Sequence, residues 1–74
     1  MTMSGMTTNM KKYREELSMS QQQLADKVGV RRETIVRLEK GKYNPSLRLA
    51  VDIARVFGVP VEEVFIFSPE GQSD

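Results

Sequence analysis

The chain has 74 residues, with 11 Lys or Arg, 10 Asp or Glu, and neither cysteine nor histidine. One domain with a small core is the most this length allows, and the missing side chains exclude disulfides, thiolate or imidazole metal sites and the usual general base, so neither an enzyme nor a cofactor is expected. The formal charge of +1 conceals a division: Met10 to Arg48 carries ten bases against five acids, whereas Leu49 to Asp74 carries one base against five acids. Such segregation fits one basic face for a polyanion and a second face for something else.

Residues 1–8, MTMSGMTT, are small and polar, which predicts a disordered extension ahead of a domain spanning 9–67. They lack the pattern of a signal peptide, and no run in the chain approaches the ~20 apolar residues of a membrane span. A cytoplasmic protein without membrane contact is therefore expected. The first helix should start from Thr8 or Asn9 as N-cap and end at Leu17, with Met10, Tyr13 and Leu17 at i, i+3, i+7 forming its core stripe and Lys11 facing water. Ser18-Met19-Ser20 breaks it, and Ser20 with Gln23 gives the S-x-x-Q capping box of a second helix, Gln21 to Val28.

In that helix Leu24, Ala25 and Val28 share one face, and Gly29 supplies the stop. A third helix, about Arg32 to Lys40, turns Ile35 and Leu38 inward and presents Arg31, Arg32, Glu33, Thr34 and Arg37 outward. Its expected N-cap is Arg31, which lacks a capping oxygen and puts a cation where the helix dipole disfavours one. A polyanion is the partner that would offset both costs. Gly41 closes this helix, and Ser46 after Pro45 caps a fourth from Leu47 to Phe57, whose wide stripe of Leu47, Ala50, Ile53, Ala54 and Phe57 predicts a central core helix. Val59-Pro60 opens a short fifth helix, Val61 to Phe65, with Glu62 and Glu63 in its first turn, and residues 68–74 form a polar tail.

Two short helices joined by a tight turn, with alanine letting their backbones approach, form the unit that places a second helix in the DNA major groove. The string from Gln21 to Lys40, together with the E-K-G-K-Y-N-P-S run from Glu39 to Ser46, resembles the Cro/C1-type (XRE-like) helix-turn-helix family of lambdoid phage repressors and their short bacterial and archaeal relatives. The resemblance covers about Met10 to Phe67. It implies an all-α, five-helix, lambda-repressor-like domain with the helix-turn-helix as helices 2 and 3. It also implies an ion pair between Arg14 and Glu39, a Gln21 that touches a phosphate and braces the reading helix, and base contacts by Arg32, Glu33 and Arg37.

Arginine can read guanine bidentately, glutamate can accept from cytosine, and threonine can offer a methyl to thymine or a hydroxyl to phosphate. Glu33 and Arg37, spaced i, i+4, can alternatively pair with each other. Lys40, Lys42, Asn44 and the backbone around Ser46 are expected along the phosphates. Val64, Phe65, Ile66 and Phe67 are too apolar for an exposed tail. They predict a homodimer, with a short strand that could pair across the two-fold; the other outcome is that all four fold back on their own chain. The expected function is repression by a dimer on a palindromic operator. The rivals are an antitoxin that also holds a toxin through its C-terminal patch, and a protein–protein adaptor.

Overall fold

Local signals in the sequence set most of the helix boundaries. The computed structural model describes residues 6–67: β1 (Met6–Thr8), α1 (Met10–Glu16), α2 (Gln21–Val28), α3 (Arg32–Glu39), α4 (Leu47–Phe57), α5 (Val61–Val64) and β2 (Phe65–Phe67). At the head of α2 the Ser20 hydroxyl accepts from the Gln23 amide at 3.0 Å, and the Gln23 side chain accepts from the Ser20 amide at 2.8 Å. Both halves of the expected capping box are present, satisfying two backbone groups that a helix start would otherwise leave open. Ser46 heads α4 in the same way, accepting from the Leu49 amide at 3.1 Å.

The helices converge on one buried cluster built from Met10, Leu24, Ala25, Ile35, Leu38, Leu49, Ala50, Ile53, Ala54, Val64 and Phe65, with Met6 at its edge. Tyr13 and Phe57 stack at 5.6 Å between ring centroids and tie α1 to the end of α4. The architecture is the expected five-helix domain, with a small two-stranded sheet added.

The sheet corrects one expectation and narrows another. β1 and β2 pair antiparallel, Met6 opposite Phe67, Thr7 opposite Ile66 and Thr8 opposite Phe65. Met6 to Thr8 are therefore part of the folded domain, not of a disordered extension; the remainder of that extension and the polar tail at 68–74 lie outside the described residues. The C-terminal strand, for which pairing across a two-fold was one possibility, pairs along one edge with β1 of its own chain. The reason is side-chain burial: Met6 is only 8% exposed, and pairing β1 with β2 lets Met6 and Phe65 join the same core.

Asn9 fastens this ribbon. It precedes α1 but makes no side-chain cap bond. Its backbone amide instead donates to the Val64 carbonyl, and its Nδ2 donates to the Glu63 carbonyl, each at 2.9 Å.

α4 brings a further correction. Leu47 was expected in the core stripe but is 79% exposed, while Leu49 is buried. Leu47 keeps the i, i+3, i+7 spacing to buried Ala50 and Ala54, so its exposure comes from its place at the first position of α4, at the edge of the core, where Leu49 is the leucine that packs inward.

Two backbone positions are strained or crowded. α3 ends in a Schellman arrangement, Gly41 N–H to Leu38 O and Lys42 N–H to Arg37 O, both at 3.0 Å. Gly41 has φ +71°, and a Cβ there would lie 2.9 Å from the Met6 carbonyl oxygen. Ser18, after α1, holds φ +55° although it carries a side chain. Gly41→Ala is expected to destabilise the domain by about 1–3 kcal/mol, through left-handed strain and the collision with β1. Ser18→Gly should act in the opposite sense, adding about 0.5–1 kcal/mol by relieving the same backbone penalty without steric conflict. Urea denaturation of the two variants against wild type checks both signs.

Candidate nucleic-acid interface

α2 and α3 are joined through Gly29, Val30 and Arg31. Gly29 caps α2 at φ +75°, and the Val30 amide reaches back to the Ala25 carbonyl at 3.1 Å, which reverses the chain sharply. Leu24 and Ala25 from α2 and Ile35 and Leu38 from α3 are all fully buried, so α3 is seated on α2 along its inner face. That seating leaves the outer face of α3 free. Arg31, Arg32, Glu33 and Arg37 are exposed and Thr34 is half-buried, as their helical positions require. Lys40, Lys42, Asn44 and Ser46 are exposed in turn, bordering the C-terminal end of α3 and the loop into α4.

Arg31 occupies the N-cap of α3 with extended backbone and no side-chain cap bond, as its chemistry dictates. Among the described residues the ion pairs are Arg14–Glu39 and Arg48–Asp52, so the alternative in which Glu33 and Arg37 neutralise each other is not adopted. Among the described residues the three arginines of the α3 face thus have no ion-pair partner.

The far end of α3 is held by charge. Arg14 Nε donates to Glu39 Oε2 at 2.7 Å and Nη2 donates to Oε1 at 3.2 Å, a bidentate pair with side-chain exposures of 11% and 7%. The third guanidinium nitrogen, Nη1, donates to the Met19 carbonyl at 2.9 Å, and Gln21 Nε2 donates to Glu39 Oε1 at 3.1 Å. The hydrogen bond to Glu39 is the main cause that raises the Arg14 pKa above its ordinary value; burial opposes it, and the charges of Glu39 and Glu15 reinforce it. Arg14 is therefore cationic at every physiological pH. Gln21 occupies its bracing position on the reading helix, with its amide engaged by Glu39.

A recess of about 510 Å³ opens beside this network, lined by Lys11, Arg14, Ser20, Gln21, Val36, Glu39 and Lys40. Lys11, exposed as its place on α1 predicts, is among its lining residues. Lys11 stands three positions before Arg14 on α1, and that spacing, which puts both on one helix face, was the available signal of that place. Lys11 and Lys40 bring two cations to the rim of this recess. At the opposite end of the chain, Val64 and Phe65 are buried in the domain's own core, and Ile66 remains 44% exposed.

A short helix seated on a second, exposing arginines and flanked by lysines, defines the helix-turn-helix class of DNA-binding domains. The helix-turn-helix family profile matches residues 10–64. Over 65 residues the chain is 60% identical to an uncharacterised HTH-type transcriptional regulator of Archaeoglobus fulgidus, covering 88% of this chain and 92% of that protein. It is 29% identical over 58 residues to the cryptic phage CTXphi transcriptional repressor RstR of Vibrio cholerae, covering 78% of this chain and 52% of the repressor. The crystal structure of a putative DNA-binding protein from Bacteroides fragilis superposes with a TM-score of 0.72 at 27% identity, covering 81% of this chain and 97% of that one. The chain belongs to the Cro/C1-type helix-turn-helix transcriptional regulators, a family of DNA-binding proteins and not of enzymes. Among the described residues no helix is long and apolar enough to cross a membrane.

The ion pair makes a sharp prediction. Arg14→Met leaves the Glu39 carboxylate buried with Gln21 as its remaining donor, and should cost about 3–5 kcal/mol of stability. Replacing both residues by Met should recover most of that loss, because no uncompensated charge stays behind. Urea unfolding of Arg14→Met, Glu39→Met and the double Met variant against wild type measures the coupling.

Proposed function

We propose that the protein represses transcription as a homodimer on a palindromic operator, each α3 entering one of two major grooves about 34 Å apart. The observation that carries this is the outer face of α3, where Arg31, Arg32 and Arg37 form no ion pair among the described residues while the helix beneath them is fixed by core packing and the Arg14–Glu39 pair. Arginine side chains on a rigid helix suit bidentate reading of guanine. Arg32 is the principal base contact, with Arg31, Glu33, Thr34 and Arg37 around it. Lys40, Lys42, Asn44 and Ser46 contact phosphates, joined by Lys11 from α1 and by the polar head of α2 at Gln21.

Repression by promoter occupancy is the simplest mode for a reader of this size, and the similarity to a phage repressor supports it. Action on DNA puts the protein in the cytoplasm. Of the 64–67 run, Val64 and Phe65 serve the chain's own core, and Ile66 has an exposed apolar side chain to offer the dimer.

Selection from a random duplex library at near-physiological salt should enrich an inverted repeat with half-sites about one helical turn apart. Enrichment of a lone half-site would contradict the dimer, and no enrichment by folded protein would contradict sequence reading altogether. On the selected site, Arg32→Ala should relax preference at one base position per half-site by about 1–3 kcal/mol. Lys42→Ala should weaken all sequences alike and flatten the salt dependence by about one unit of slope. Competition binding across single-base variants, repeated at several salt concentrations, separates the two effects.

A further inference from the structure

By burying Leu49, Ala50, Ile53 and Ala54, α4 turns the adjoining stripe outward. That stripe starts with Leu47, 79% exposed, continues one turn later with half-buried Val51, and carries Arg48 and Asp52 alongside. A single exposed leucine is ordinary on a protein surface. The surroundings of this one are what point to a partner. Arg48 and Asp52 meet only at 3.8 Å, with the Arg48 side chain 90% exposed, so their charges are loosely engaged with each other. Leu47 also follows directly on Ser46, the last residue of the loop bordering the reading surface.

We infer, on the basis of the homodimer proposed above, that the outward stripe of α4 is the face on which two copies of this chain meet. A two-fold contact must complement itself, so that each pairing recurs with the roles exchanged. Two α4 helices passing antiparallel, with the axis between residues 49 and 50, meet that demand from one stripe. Leu47 lies against the partner's Val51, and Arg48 meets the partner's Asp52. Both contacts form twice. Opposite charges four residues apart are what antiparallel self-pairing requires, because like charges at the two positions would repel across the axis. The arrangement also brings both 42–46 loops, which lead directly into Leu47, close to the axis.

Sedimentation equilibrium of the full chain tests this with Leu47→Glu, Arg48→Asp, Asp52→Arg and the double reversal Arg48→Asp/Asp52→Arg. All these positions are on the outward stripe, and a thermal melt of each variant verifies folding. Leu47→Glu should raise the dimer dissociation constant by about tenfold or more. Each single reversal should weaken the dimer several-fold, and the double reversal should return to within about threefold of wild type. A Leu47→Glu protein that dimerises like wild type, or a double reversal no better than either single change, overturns the α4 face and leaves the homodimer standing. So does an Arg48→Asp variant that loses affinity for DNA but dimerises normally, since Arg48 would then serve a phosphate. A wild-type chain that stays monomeric and selects a lone half-site overturns the homodimer, and the α4 face with it.

Discussion

The rest of the molecule is arranged around the buried pair of Arg14 and Glu39. Taking two charges out of water is costly, and the bidentate geometry, the Met19 carbonyl and the Gln21 amide are what offset that cost. Apolar residues of similar volume would serve stability about as well. We read the pair as a positioning device. It joins α1 to the C-terminal end of α3 and recruits the first residue of α2, so the three helices that frame the reading surface share one hydrogen-bond network. A guanidinium fork has one good orientation against a carboxylate, and a greasy contact has many. For a helix proposed to meet base edges, that difference bears directly on function.

The ends of the domain are held by a different device. A chain of this size has little core to spare, and its described termini are tied down by each other. β1 and β2 contribute Met6 and Phe65 to the core, while Asn9 bonds two carbonyls at the end of α5. The same ribbon approaches α3, since the Met6 carbonyl lies where a side chain on Gly41 would have to go. The reading helix is thus fixed at its C-terminal end from two sides, by the ion pair and by the ribbon, and its N-terminal half is left to face outward.

What could be read from the sequence and what could not divide along physical lines. The capping box at Ser20, the glycine stops, the α2–α3 turn and the inward faces of both helices depend on residues within a few positions of one another, and these were legible. The Arg14–Glu39 pair spans 25 positions and was available only through resemblance to a family. The ribbon joins Met6 to Phe67, and a three-residue strand carries too little periodicity to declare itself before its partner is known. Leu47 shows a limit of another kind. A helical stripe read from spacing has soft edges, and at the first helical position nothing but the packing of α4 decides whether Leu47 or Leu49 turns inward.

Arg31 shows where the balance between stability and recognition was struck. Serine or threonine at the head of α3 would accept from the open amides of its first turn and contribute about 1 kcal/mol. Arg31 has extended N-cap backbone but no side-chain cap bond, and it brings a positive charge to the end of the helix that least favours one. Glu33 in the first turn offsets part of that charge, which leaves the arrangement tolerable in the free protein. Departures from local preference of this kind tend to mark functional positions. A polyanion against this end of α3 would reverse each of the costs, since a phosphate accepts from helix amides, favours the positive end of the dipole and pairs with a guanidinium. The least stable feature of the reading helix in isolation is therefore the one that DNA is best suited to relieve.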